Sequence, residues 1–374
     1  MVVVVGAGLI GLGIACELAK RGAEVRLIDA GDPAKAASWA GAGMLAPFTE
    51  NLGDAEFAAF CARSLALYPA FVADLRERSG VDPHLRLDGV VEAAFTPEDV
   101  ARLRARVDAL VERGVAARWL EAADARLAEP ALSAGTLGAA LIEDEGHVDN
   151  RRLGRALEAE CRRLGVGFET QSGPVALEAD ARRVLGVRTS TGFRAAEAVV
   201  NATGAWAGRL EGTPAHVRLP VRPVKGQMLA LAAPRGLVRR VLWVPGAYLV
   251  PREDGRLLVG ATSEEADFDI RVTARGLQSL LDPVLRALPA LRDLTVSETW
   301  AGLRPGSHDG KPYLGSTSLS GYFVAAGHYR NGILLTPVTA LTLADALEGK
   351  APAPDVAGLA PGRGPQEALS AAAN

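Results

Sequence analysis

Cysteine is scarce in this 374-residue chain: Cys16, Cys61 and Cys161 are the only three. They are odd in number, far apart and lack C-x-x-C spacing, which argues against a disulfide framework or a thiolate metal site and fits a reduced cytoplasm. Cys16, on the first helix, reads as a small core residue. A leader segment is also not expected, because the first strand begins at residue 2 and leaves no room for a signal peptide. No apolar run approaches the roughly 20 residues of a membrane span. Strong charge of one sign is absent too. A net charge of −3 offers no footprint for nucleic acid or an acidic membrane surface, so neither is expected as a partner.

What is present suits a large enzyme. A chain of this length buries about three quarters of its unfolded surface, enough for one big core or two domains. Val2 to Val5 form a short β-branched run leading into Gly6-Ala7-Gly8-Leu9-Ile10-Gly11, a strand feeding a glycine turn. Ile14, Ala15, Leu18 and Ala19 then recur at helical spacing and Gly22 stands at the cap. A second strand covers Glu24 to Ile28, closed by Asp29 and followed by Ala30. Strand, turn, helix, strand and acid in this order form a dinucleotide fingerprint. Gly6 makes the tight turn, Gly8 admits a pyrophosphate to the backbone, Gly11 lets helix pack on strand, and Asp29 serves ribose hydroxyls. The helix N-terminus supplies free N–H groups to phosphate.

Further along, helical patterns dominate 54–79 and 97–129, where Arg102, Arg104, Arg106 and Glu112 read as solvated faces. Another amphipathic helix spans Asp149 to Leu164. Short strands follow at Gly186 to Thr189 and Ala198 to Asn201, and then comes the small-residue turn Ala202-Thr203-Gly204, which lets a cofactor approach closely. From Val221 to Val259 alternating strands predict an antiparallel sheet. The stretch after Lys350, rich in Ala, Pro and Gly, lacks the periodicity to fold. There is no internal repeat. The order is a dinucleotide-fold half, an insertion, more of that fold, a sheet domain and a return, which places a ligand at the seam.

The segment Glu298 to Leu335 holds Arg304 and Arg330 among glycines and aromatics. An always-charged, planar guanidinium in such a setting grips a carboxylate or phosphate. Asn331 and Gly332 precede an apolar helical run ending near Leu347; with Pro337 inside it, the helix either starts at Thr336 or is kinked there, and both leave donors near Gly332. His328 reads as a backbone positioner, and His308 with Asp309 as part of a Gly/Pro turn.

Together with the fingerprint, the run Ser38 and Ala40-Gly41-Ala42-Gly43-Met44-Leu45, Pro223-Val224-Lys225-Gly226, Tyr248-Leu249-Val250-Pro251-Arg252, Val259-Gly260-Ala261-Thr262, Trp300-Ala301-Gly302-Leu303-Arg304-Pro305 and His328-Tyr329-Arg330-Asn331-Gly332 resemble the D-amino-acid oxidase family of FAD enzymes. The likeness is greatest to its glycine-oxidising branch linked to thiamine synthesis and covers residues 1 to about 350. It implies an α/β fold: a Rossmann-like FAD-binding domain, discontinuous over 1–78, 140–215 and 299–350, and a substrate domain on a mainly antiparallel sheet plus helices at 79–139 and 216–298. Residues 351–374 are expected to be a flexible tail.

The resemblance also implies non-covalent FAD, since related enzymes tether flavin to a cysteine near the C-terminal region and none follows Cys161 here. FAD contacts are expected from the fingerprint residues Gly6, Gly8, Leu9, Ile10 and Gly11, from Asp29, Ala30 and Ser38, and from Ala42, Gly43 and Met44 beside the isoalloxazine. Val175 is expected near the adenine, Thr203 and Gly204 at the turn, and His328, Tyr329, Arg330, Asn331, Gly332, Ile333 and Leu334 along the pyrimidine edge. A small amino acid is expected with its carboxylate on Arg304, helped by Tyr248 and Arg330, near Ser263. Members of the family carry a methionine where Ser263 stands, and a bulkier residue in place of Gly246, so a wider pocket is implied. Glycine, sarcosine, D-alanine and D-proline all remain candidates, with molecular oxygen as electron acceptor or a quinone in a dehydrogenase. Family members are often tetramers.

Overall fold

The computed structural model describes residues 1–50 and 54–363. The buried run Val2–Val5 lies inside a six-stranded sheet, flanked by Val25–Ile28 on one side and Ala198–Asn201 on the other, all parallel. Gly167–Glu169 extends one edge; Tyr322–Ala326 and the antiparallel Tyr313–Ser316 extend the other. A strand this apolar needs cover on both faces. The helices Leu9–Lys20, Asn150–Arg163 and Thr336–Leu347 supply one cover, through Leu12, Leu153, Leu157, Val338 and Leu343. Opposite them lies a three-stranded meander, Ala176–Ala179, Val184–Thr189 and Gly192–Ala195, whose Leu177, Val184 and Val187 pack on Val3 and Val5. N-terminal and C-terminal segments thus share one core.

The second sheet has eight strands, in the spatial order Val296–Gly306, Arg222–Ala232, Arg256–Gly260, Ala247–Pro251, Val241–Val244, Val90–Ala94, Gly138–Ile142 and Ala117–Glu121. It is antiparallel except where Val241–Val244 meets Val90–Ala94. Its longest ladder pairs Arg222–Ala232 with Val296–Gly306 and sets Val224 opposite Arg304. The domain limits expected at 140 and 299 therefore cut strands of this sheet: Gly138–Ile142 and Val296–Gly306 are both members of it. Sequence pattern failed at Gly138–Ile142 because a strand buried at every position carries no alternation.

The helix pattern expected across 97–129 breaks. Pro97–Glu112, opened by a Thr96–Asp99 capping box, is followed by the strand Ala117–Glu121 and the short helix Ala122–Ala128. The helix expected to end near Leu347 spans Thr336–Leu347 with Pro337 in its first turn, so no kink is needed. The tail does not fray through residue 363: Val356 and Leu359 are buried, and Arg363 pairs with Asp309. Residues 364–374 lie outside the described residues. One helix, Ala55–Ser79, is long and apolar enough to cross a membrane by length and composition, contrary to the sequence reading. Its Phe60, Leu65, Tyr68 and Leu75 are buried in the main core. The three cysteines are buried.

Candidate active site

Two cavities meet at the carboxyl ends of the parallel strands and share Gly8, Ala37, Ser38, Ala202 and Gly204, so they form one elongated crevice. With their mouths included they enclose about 1150 Å³ on the inner side and about 1450 Å³ on the outer. The outer arm is lined by Gly6, Asp29, Ala30, Val175 and Thr203. Gly6 has φ +105°, and a Cβ there would lie 2.6 Å from the carbonyl carbon of Ala202. Asp29 accepts from the amides of Ala7 at 2.6 Å and Gly31 at 2.8 Å, which fixes its carboxylate beside the turn. The helix Leu9–Lys20 carries no acid in its first turn, and Ser38 Oγ accepts from the Leu9 amide at 2.9 Å. Its positive end thus faces the crevice uncompensated by any acid of its own, as a pyrophosphate requires.

The inner arm is lined by Leu9, Ile10, Ala42, Gly43 and Met44 on one side and by His328, Tyr329, Arg330, Asn331, Gly332 and Ile333 on the other. Arg304 and Tyr248 stand in the same cavity. Arg304 Nη1 donates to Thr262 O at 3.1 Å and Lys225 O at 3.4 Å, and among the described residues no carboxylate pairs with it. It rests on Gly226, where a Cβ would fall 2.5 Å from Nη2 and 2.7 Å from Cζ. The absence of a side chain at 226 makes room for the guanidinium. Burial pushes the Tyr248 hydroxyl above its ordinary pKa although Arg304 pulls it down, so it is a neutral donor.

Three expected residues lie elsewhere. Gly11 is inside the first helix, its Cα against the Gly6 carbonyl, where a Cβ would lie 3.0 Å from the carbonyl carbon. Its role is close packing, and it does not line the crevice. Leu334 points into the core, and its carbonyl accepts from Ser64 Oγ at 2.6 Å. Ser263 is exposed and lines neither cavity; Thr262 beside it supplies the carbonyl that holds Arg304. The wider pocket inferred from Ser263 therefore has no basis in this geometry. Arg330 does line the cavity, but its Nε donates to Glu50 at 2.8 Å, an attraction that raises its pKa.

His328 is buried with Nε2 3.1 Å from Thr339 Oγ1, and burial lowers its pKa to about 3. It is neutral at physiological pH and makes a poor base. His308 sits 2.9 Å from the Tyr313 hydroxyl, outside the crevice.

Sequence reading missed Glu50, Met228 and Arg252. Glu50 and Met228 line the inner arm. Arg252 is buried and donates to Ala42 O at 2.8 Å, Asn150 Oδ1 at 2.9 Å and Val148 O at 3.2 Å, so it fastens the Ala42–Met44 loop from behind. Burial lowers its pKa to about 10. The signal available was an arginine closing an apolar strand, Tyr248 to Arg252.

Fold and crevice together define a protein with a dinucleotide-type glycine turn in one arm of the crevice and a fixed guanidinium in the other. The pattern of the FAD dependent oxidoreductase family matches residues 1–346; the chain belongs to that family, and its cofactor is FAD. The chain is 38% identical over 359 residues to a glycine oxidase of Geobacillus kaustophilus, covering 95% of each. It is 37% identical over 349 residues to a bifunctional protein ThiO/ThiG of Trichormus variabilis, with 92% of this chain matched, and spans about half (52%) of that relative's length. The crystal structure of glycine oxidase from Geobacillus kaustophilus superposes with a TM-score of 0.92 at 37% identity, covering 97% of this chain and 98% of that one. An iminodiacetate oxidase from Chelativorans sp. gives 0.87 at 26% identity over 96% of this chain and 99% of that one.

Proposed function

We propose that the protein oxidises glycine or another small α-amino acid to its imine, which water converts to the 2-oxo acid and ammonia. Oxygen is taken as the acceptor and hydrogen peroxide as the second product, and iminoglycine from this reaction is proposed to feed synthesis of the thiamine thiazole. The observation that carries the reading is Arg304: a guanidinium held by two carbonyls, with no acid partner among the described residues, in the cavity that continues from the glycine turn. Relatives named glycine oxidase support the choice of substrate.

The residues suited to hold FAD are Gly6, Gly8 and Asp29 at its ADP end and Ala42, Gly43, Met44 and Gly332 at its flavin end. When bound, FAD accepts the hydride that leaves the substrate Cα. Arg304 binds the carboxylate through a charge-assisted fork and so orients Cα. Tyr248 donates to the same carboxylate. The substrate reacts with its amine neutral, so no side-chain base is required, in keeping with the neutral, buried His328. Tyr248, Met228 and Leu303 wall the cavity and keep it largely apolar.

The test is an anaerobic screen of glycine, sarcosine, D-alanine and D-proline for bleaching of the flavin absorbance. Bleaching by at least one is expected, followed by peroxide when air is admitted. If none of them bleaches the flavin, the reading is wrong; bleaching without peroxide assigns a different electron acceptor.

A further inference from the structure

The helix Pro47–Glu50 has four residues, too few to hold its own shape. Two buried charges hold it from opposite sides. Glu145, fully buried, accepts from the amides of Phe48 at 2.5 Å and Thr49 at 2.9 Å and from the Thr49 hydroxyl. Arg106, also buried, reaches in from the helix Pro97–Glu112 and donates through Nη2 to the carbonyls of Phe48 at 3.2 Å and Thr49 at 2.9 Å; its Nη1 pairs with Glu92. Burying an acid and a guanidinium is costly unless each is fully engaged. These two direct their bonds to the backbone of the same two residues rather than to each other. The helix they fix ends in Glu50, whose side chain is only 6% exposed and pairs with Arg330 in the inner cavity.

The cavity therefore holds two guanidiniums, of which Arg330 is neutralised and Arg304 is not. We propose that Glu145 and Arg106 are positioning residues that keep Glu50 against Arg330, and that this pairing makes the cavity accept one carboxylate and reject a second. A diacid in the cavity places its first carboxylate on Arg304 and brings its second to the Glu50 carboxylate, where like charges repel. Without the Glu50 charge, Arg330 becomes a second anchor.

Burial pushes the Glu145 carboxyl up to about 7 against the pull of its Thr49 and Phe48 donors and of Arg106, behind which stands Glu92. Above that pH Glu145 is ionised and accepts all three donors; below it the hold weakens. Selectivity for one carboxylate sharpens as pH rises through about 7.

The inference rests on the amino-acid reading only for substrate choice, so the test measures binding first. FAD-saturated wild type, Glu50→Gln and Glu145→Gln are titrated with acetate and malonate, following flavin absorbance and thermal stability, at pH values about one unit either side of 7. The malonate-to-acetate affinity ratio is expected to rise about tenfold in Glu50→Gln and severalfold in Glu145→Gln, with its pH dependence lost in the latter. Should Glu145→Gln fail to fold, Thr49→Val weakens the same hold. A ratio within about twofold of wild type in Glu50→Gln, or a Glu145→Gln protein that is merely less stable with an unchanged ratio, overturns the proposal. Wild type that oxidises no amino acid sinks the function proposed above, while the affinity ratios still decide this inference.

Discussion

Gly226→Ala isolates the role of Arg304 better than removing the arginine does. A Cβ at 226 would stand 2.5 Å from Arg304 Nη2 and 2.7 Å from Cζ. Both atoms belong to the far end of a flexible side chain, so the guanidinium moves and the ladder between Arg222–Ala232 and Val296–Gly306 stays intact. Stability should change by less than about 1 kcal/mol, because Ala costs less chain entropy than Gly. A charge-assisted contact to a carboxylate is worth roughly 1.5 to 3 kcal/mol, so displacing its donor should weaken amino-acid binding about tenfold to a hundredfold or slightly more. The assay is the anaerobic rate of flavin reduction against amino-acid concentration, with flavin content and melting temperature measured alongside. Arg304→Ala should show a similar loss, and the double variant should be no worse than Arg304→Ala alone, since both changes act through one group. Undiminished affinity in Gly226→Ala, or losses that simply add in the double variant, would refute the claim that this guanidinium holds the carboxylate.

Gly11→Ala should give a protein that retains little FAD, because a Cβ there is driven into the Gly6 peptide, which is backbone and cannot step aside; the ratio of flavin to protein absorbance checks this. Arg252→Ala leaves the carbonyls of Ala42 and Val148 and the Asn150 side chain without their donor. At about 1 to 3 kcal/mol per stranded group it should lower stability markedly and loosen flavin, read by urea unfolding and by FAD dissociation. Glu129 and Glu145 are both raised to about 7 from 4.5, in each case by burial. The folded state then binds more protons than the unfolded one between those values, so their contribution to stability is full below about 4.5 and is lost as pH rises through about 7. Each can contribute at most on the order of 3 kcal/mol. Urea midpoints above and below that window should show the decline, and Glu145→Gln should flatten part of it.

The Rossmann half was legible because its physics is local. A β-branched run, three glycines and an acid at set spacing name their own neighbours, and Gly6, Gly8 and Asp29 all line the crevice as that spacing requires. The sheet domain was legible as a sheet but not at its limits. Gly138–Ile142 is buried at every position and carries no alternation to mark it as a strand. Val296–Gly306 alternates better, yet its membership is decided by a partner strand some 70 residues earlier, Arg222–Ala232.

The misses within the site share one cause: sequence names a side chain's chemistry but not which way it points or what has already claimed it. Ser263 and Thr262 are adjacent, yet one faces solvent and the other gives its carbonyl to Arg304. Arg330 reads like Arg304, as an arginine among glycines, and differs because Glu50, 280 residues earlier, reaches it first. Arg106 sits in a run of alternating arginines that looks solvated, and the two-residue step from Arg104, more than half a turn round the helix, points it inward onto Phe48 and Thr49 while Arg104 faces out to Glu121. In each case the deciding fact is a contact made across the fold. The two arginines of the proposed anion grip were thus legible in the sequence, but which of them the fold leaves without an acid among the described residues was not.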